Sequence, residues 1–269
     1  MNRRERLVTK LRPAPLAASV AHLLRVNRRR LHQTPYGRFF INPVSDFGSR
    51  ILAGDYEPEM RRVLELYLKP GMTFIDLGAN EGYFSVLASR LVGPDGFVLA
   101  IEPQSRLQAV IQRNLMENEC FNVQVFQCVL AAESGRASIA LSTDMNTGAS
   151  SLYPTARYRL PEEEVCRFSL SEFFSRRKIG RCHLMKIDIE GAEWDVLMSA
   201  GELLRQGIIA NLAVEIHESV LHARGLRPEQ LHQHLLAHQY ECDGTLGVPV
   251  YRFRASARSV DSPFAPALS

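Results

Sequence analysis

The run Phe74-Ile75-Asp76-Leu77-Gly78-Ala79-Asn80-Glu81-Gly82-Tyr83-Phe84 decides how the rest of the chain is read. An apolar strand passes through a turn that contains two glycines and opens into a helix. Gly78 and Gly82 have no Cβ, so backbone N–H groups there can approach a ligand closely, and the helix N-terminus attracts negative charge. The turn reads as a cradle for the carboxylate or phosphate of a small molecule. Its spacing is Asp-x-Gly-x-Asn-x-Gly rather than the Gly-x-Gly-x-x-Gly of dinucleotide-binding turns. An acid at Asp76 would repel a pyrophosphate and offer a partner to an ammonium group.

Outward from this turn the chain alternates strand-like and helix-like segments. Strands are predicted at 73–77, 97–101 and 123–127, with helices at 83–91 and 105–117, the latter placing Leu107, Val110, Ile111 and Leu115 on one face. Further strands are predicted at 138–141, 183–187 and 209–216, helices near 192–198 and 230–238, and a closing antiparallel hairpin of 240–242 with 250–253. This is the pattern of an α/β Rossmann-like fold, a mostly parallel twisted sheet with helices on both faces and an antiparallel C-terminal strand. Upstream, 35–43 reads as an aromatic strand or hairpin and 56–68 as an amphipathic helix with Pro58 near its start. Residues 142–167, rich in Ser, Thr, Tyr and charge, read as a long excursion over the sheet edge.

Glu102 follows the second strand directly, where a carboxylate accepts hydrogen bonds from both hydroxyls of a ribose. An acid suited to an ammonium at one strand end and an acid suited to a ribose at the next describe a nucleoside with an amino acid attached. S-adenosylmethionine has that constitution. The sequence also resembles the FkbM-type S-adenosylmethionine-dependent methyltransferases, through 74–84, Ile101-Glu102-Pro103, Asn114 to Asn118, Lys186-Ile187-Asp188-Ile189-Glu190-Gly191-Ala192-Glu193 and Glu215-Ile216-His217. The resemblance implies a methyltransferase sheet and O-methylation of sugars or other small-molecule hydroxyls. It implies that Asp76, Gly78, Ala79, Asn80, Gly82 and Tyr83 form the methionine end of the cofactor site, that Glu102 takes the ribose, and that Cys128-Val129 flank the adenine. The family's usual Ala-Leu is replaced here by Val129-Leu130, and its usual acid by Ala132.

Lys186 to Glu193 begins at the C-terminal edge of a strand, where open α/β sheets bind their ligands, which puts Asp188 near the reacting methyl and also among the cofactor contacts. Methyl transfer is an in-line displacement at an already activated carbon, so the protein mainly aligns the reactants and removes a hydroxyl proton. Asp188 and His217 are the candidate catalytic bases, each at a strand end facing one cleft. For each the structural alternative stands: a helix-capping acid and a hydrogen-bonded core histidine. Asp188, Glu190, Glu193 and Asp195 raise the alternative of a magnesium site, since hard cations favour carboxylate oxygens, but acids in and before a helical first turn need no metal and none is expected. His232, His234 and His238 read as solvated, and Trp194 as packing for its helix. Tyr153, Arg157, Tyr158 and Arg159 are the acceptor-site candidates, since aromatic faces and planar cations suit a sugar or an anion.

Of the chain's 269 residues 46% are hydrophobic and 23% charged, enough apolar material for a core, which excludes wholesale disorder and a polytopic membrane protein. Residues 1–30 carry nine Lys or Arg against Glu5 alone. We read 1–34 as a partly disordered basic arm with weak affinity for an anionic membrane or polyanion, without specific nucleic-acid recognition. Its apolar stretch of about ten residues falls short of the roughly 20 that span a bilayer. Residues 35–70 form a small N-terminal subdomain, 71–255 the methyltransferase domain and 256–269 a loose tail. Five scattered cysteines without metal spacing read as reduced thiols of a cytoplasmic protein. Two rivals stay open: an NAD-linked oxidoreductase, disfavoured by Asp76, and a non-catalytic binding protein on the same fold.

Overall fold

The computed structural model describes residues 3–8, 11, 14–24, 26–154 and 160–254. The chain enters through α1 (Arg3–Val8) and α2 (Ala14–Leu23), then a hairpin of β1 (Arg30–Thr34) and β2 (Gly37–Ile41). Helix α3 (Asp46–Ala53) starts where the Ser45 hydroxyl accepts the Gly48 N–H, and α4 (Pro58–Tyr67) carries its proline in the first turn, where no N–H is needed. Val8 of α1 and Ala21 of α2 form a small cluster with Val26, Val44 and Met145, whereas the hairpin, α3 and α4 pack on the central sheet. Phe39, Ile41, Phe47, Met60 and Leu64 share one apolar cluster with Phe74 and Val98 of the central sheet.

The sheet itself follows: β3 (Thr73–Leu77), α5 (Tyr83–Val92), β4 (Phe97–Ile101), α6 (Ser105–Glu117) and β5 (Val123–Phe126). A parallel strand covered on both faces must be apolar on both, and the alternation of strand side chains sorts the two. Ile75, Leu77, Leu99 and Ile101 point into one cluster, Phe74 and Val98 into the other. Asn114 and Asn118 tie the hairpin to α6. Asn114 accepts the Phe40 N–H at 2.6 Å and donates to the Glu81 carbonyl at 2.8 Å, while Asn118 accepts the Arg38 N–H at 3.0 Å.

After β5 come β6 (Val129–Ala131), β7 (Gly135–Ala140), a 3₁₀ turn at Thr147–Ala149, β8 (Glu162–Ser169) and α7 (Leu170–Arg177). The excursion expected at 142–167 thus ends in a strand. β8 pairs antiparallel with β7 and parallel with β6 in a small three-stranded sheet. Its Glu-Glu-Glu-Val-Cys-Arg sequence buries only Val165, so hydrophobic periodicity gives no strand signal, and main-chain pairing rather than side-chain burial holds it. The chain closes with β9 (Leu184–Ile187), α8 (Glu193–Ser199), α9 (Gly201–Arg205), β10 (Asn211–Val214), α10 (Glu218–Ala223), α11 (Pro228–Ala237), β11 (Tyr240–Asp243) and β12 (Val250–Phe253).

The seven-stranded order is β11-β12-β10-β9-β3-β4-β5, parallel from β10 to β5, with β12 antiparallel to its neighbours. From β3 the chain moves outward through β4 to β5, then crosses back to β9 and outward the other way. The direction reverses between β3 and β9, and the crevice beyond their C-terminal ends is where such sheets bind ligands. No helix among the described residues is long and apolar enough to cross a membrane.

Candidate active site

A cleft of about 270 Å³ opens at that crevice. One end is walled by Glu102, Gln104, Cys128, Val129 and Leu130, the other by Glu57, Asp188, Glu190, Glu215 and His217, with Gly78 and Asn80 on the same wall. The turn after β3 fits this place only as glycine: at Gly78 φ is +85°, and a Cβ would lie 1.8 Å from the Asp188 carbonyl oxygen. The two binding loops of the cleft touch each other there.

Glu102 is 3% exposed and accepts the Asn80 N–H at 2.8 Å and the Gln104 N–H at 3.0 Å. Burial pushes its carboxyl up to about 7, against the pull of those two backbone donors. A carboxylate has about four lone-pair sites, so two stay available for a diol on its cleft side. Asn80 is further held by Thr147, whose hydroxyl donates to its side-chain oxygen at 2.8 Å, and Gln104 donates to the Thr147 carbonyl at 3.0 Å. The loop between β7 and β8 therefore forms part of the Glu102 end of the cleft.

Asp76 is not on the cleft wall. It lies opposite Lys186 in the β3–β9 register and is fully buried, accepting the Ser85 hydroxyl at 2.6 Å, with Lys186 Nζ 3.9 Å away. Lys186 Nζ also donates to Asp188 at 2.9 Å. Burial would lower the Lys186 ammonium, but Asp188, Asp76 and Glu57 outweigh it and hold the charge on. Asp76, expected to meet the ammonium, thus lies underneath the binding turn in a buried cross-strand arrangement with Lys186. Of the other residues expected at the methionine end, Gly78 and Asn80 reach the wall. Ala79 and Gly82 shape the turn behind it, and Tyr83 is buried against Tyr36, Phe39, Tyr56 and Phe84.

The opposite end is densely acidic. His217, after β10, places Nδ1 2.7 Å from Glu193 Oε1, and the same oxygen accepts the Gly191 and Ile189 N–H groups at 3.1 and 3.3 Å. His217 Nε2 faces Glu190 at 3.5 Å and Asp188 at 3.8 Å. Burial alone would lower the imidazole, but Glu193, Glu190 and Asp188 raise it to about 9, so it carries both ring protons at neutral pH. At neutral pH the ring is thus a charged donor toward Glu193, Glu190 and Asp188. Burial raises Glu190 to about 7 against the pull of His217, and Glu57 to about 7 against Lys186. Glu215 is likewise raised, by burial and by Asp188.

Glu57 and Glu215 were not singled out as site residues by sequence, and Glu190 only among the acids weighed as metal ligands. Glu57 stands before a helix like an ordinary cap, yet its φ of +40° turns it into the cleft, and Glu215 sits two residues before His217 within the recognised motif. Glu193 and Asp195 separate from the acids they resemble: Glu193 holds His217, and Asp195 pairs with Arg224 at 2.9 Å. Trp194 packs on the core. His232 meets the Tyr251 hydroxyl at 3.1 Å, while His234 and His238 meet main-chain carbonyls, so these three are structural rather than solvated. The Tyr153 ring lies under the Arg224 guanidinium at 3.5 Å and off the wall. Arg157, Tyr158 and Arg159 lie outside the described residues.

The family model described as methyltransferase FkbM domain matches residues 76–242, and one for protein-L-isoaspartate(D-aspartate) O-methyltransferase matches residues 4–130. The chain is 29% identical over 184 residues to methyltransferase sdnD of Sordaria araneosa, covering 58% of this chain and 68% of that one. It is 29% identical over 163 residues to methyltransferase 1 of Beauveria bassiana (strain ARSEF 2860), covering 54% and 64%. Among solved structures, fibrillarin of Aeropyrum pernix, with natively bound S-adenosyl-L-methionine, aligns over 71% of this chain and 72% of its own at 11% identity and a TM-score of 0.41. The matched span 76–242 contains both binding turns and every cleft acid named above except Glu57, so the chain belongs to the methyltransferase FkbM domain family, S-adenosylmethionine-dependent methyltransferases.

Proposed function

We propose that the protein transfers the methyl group to a hydroxyl oxygen of a small molecule or glycan. The observation that carries this reading is the meeting of Asp188, Glu190 and His217 at one end of a cleft whose other end is Glu102. Proton acceptors lie where an acceptor must sit, and a wall this rich in hydrogen-bonding groups suits a polyhydroxylated molecule better than an apolar one.

S-adenosylmethionine, when bound, supplies an electrophilic methyl carbon on its sulfonium. Glu102 would hold the ribose hydroxyls, Gly78 and Asn80 the methionine end, and Cys128, Val129 and Leu130 the adenine. At the other end the chain orients the acceptor oxygen for in-line attack on that carbon and receives the hydroxyl proton. With His217 already protonated, Asp188 and Glu190 are the acceptors of that proton, and His217 orients them. The basic arm turns part of its charge inward, Arg29 pairing with Glu81 and Arg30 with Glu5, so we assign it a weak polyanion contact through what remains.

Incubation with methyl-labelled cofactor and cell extract, followed by mass identification of the labelled product, tests this. A methyl ether supports it. A labelled amine, or label confined to protein or nucleic acid, refutes the hydroxyl acceptor.

A further inference from the structure

Among the described residues His217 Nε2 makes no contact within the usual 2.7–3.2 Å of an N–H···O hydrogen bond; its neighbours Glu190 Oε2 and Asp188 Oδ1 stand off at 3.5 and 3.8 Å. Such spacings are long for direct pairing and short for independent groups. Two donors that share one ion at about 2.1 Å each are that far apart when the angle between them is about 110–130°. The three donor atoms all lie within 4.8 Å of one another.

A second observation comes from the other face of the ring. His217 Nδ1 is held at 2.7 Å by Glu193, which is wholly buried and itself fixed by two backbone N–H groups. Histidines that ligate metals donate their second ring N–H to a carboxylate in this way, which sets the ring orientation and aims the free nitrogen at the ion. Glu193 Oε2 is buried and has no hydrogen-bond partner among the described residues. A fully buried carboxylate with one oxygen unpaired requires positive charge nearby. His217 supplies part of that charge, and the carboxyl groups of Glu57, Asp188, Glu190 and Glu215 that line the cleft still outnumber the two cations His217 and Lys186.

We propose that Asp188, Glu190 and His217 form a site for one divalent cation, with Glu193 as the positioning residue behind the histidine. Two carboxylates and one imidazole suit a first-row ion that accepts both oxygen and nitrogen, of which Mn²⁺ is the convenient probe. The ion would displace the Nε2 proton of His217 to solvent and face the cleft, where it can take an acceptor oxygen as a further ligand. Binding of the cation requires no acceptor, so this proposal stands or falls separately from the hydroxyl reading.

The test is a titration of the chelator-treated, desalted full-length protein with MnCl₂, following the free-ion signal by electron paramagnetic resonance, with and without S-adenosylhomocysteine. Circular dichroism checks the fold of each variant. We expect one saturable equivalent in the wild type, weakened at least about tenfold by His217→Ala and by Glu190→Gln, and about 10- to 100-fold by Glu193→Gln. No saturable binding by the wild type overturns the proposal. Binding that survives His217→Ala and Glu190→Gln but is lost in Glu57→Gln or Glu215→Gln also overturns it, because the ion then sits in the all-oxygen group of Glu57, Asp188 and Glu215.

Discussion

Replacing Glu102 by glutamine removes a charge from the ribose end of the cleft while keeping nearly the same volume. Hydrogen bonds to a charged acceptor contribute about 1.5–3 kcal/mol, so cofactor affinity at pH 8 should fall about 10- to 100-fold. The pH dependence sharpens this. In the free protein burial holds the carboxyl at about 7, whereas a bound diol favours the ionised form. At pH 6 only about a tenth of Glu102 is ionised, and wild-type affinity should drop about tenfold between pH 8 and pH 6 through this group. The amide that Glu102→Gln introduces cannot titrate, so the variant should lose that component. Calorimetric titration with S-adenosylhomocysteine at pH 6, 7 and 8 measures both effects.

Stability provides the control, with the opposite sign. A carboxyl raised from 4.5 to about 7 binds more protons in the folded than in the unfolded chain across that window. Its contribution is therefore unfavourable to folding as pH rises from about 4.5 to 7, by about 3 kcal/mol in all. The variant's unliganded form should lose less stability than the wild type between pH 5 and pH 8, although it binds the cofactor more weakly. An affinity within about threefold of wild type at pH 8, or an unchanged pH profile in the variant, would refute the ribose assignment.

Three further outcomes are expected. Gly78→Ala forces a Cβ against the Asp188 carbonyl at a φ of +85°, and chemical denaturation should show a loss of about 3 kcal/mol or more; a loss under about 1 kcal/mol would contradict the contact. Lys186→Met strands Asp76 in the core, at a cost of about 3–5 kcal/mol that Asp76→Asn should partly restore in the double variant; strictly additive losses would show that the two are not a pair. Asp188→Asn should cut kcat about 100-fold or more with cofactor Kd within about threefold of wild type, whereas equal losses in both would make it a cofactor ligand.

How far the chain could be read in advance depends on the range of the interactions involved. The strands Thr73–Leu77 and Phe97–Ile101 and the helix Ser105–Glu117 coincide with expectation to the residue, because apolar runs between turn residues and a one-sided helical face are local patterns. β8 escaped for the converse reason: charged residues fall on both of its faces with only Val165 buried, and its pairing with β6 and β7 makes it a strand. Family membership was likewise legible, since it rests on short motifs at the strand ends.

The chemistry of individual acids was decided elsewhere. Glu190, Glu193 and Asp195 are indistinguishable in sequence as acids around a helix start, yet one faces the cleft, one anchors His217 and one pairs with Arg224. Asp76 reads in sequence as the acid for an ammonium group, and only the register of β3 against β9 sets Lys186 opposite it. The sequence by itself determined the strands and the two binding turns, because backbone preference and periodicity are written in neighbouring residues, and the cofactor through the short family motifs at the strand ends. Tertiary structure alone decided which carboxyl groups reach the cleft and which hold a proton, because burial and opposing charge come from strands distant in the chain.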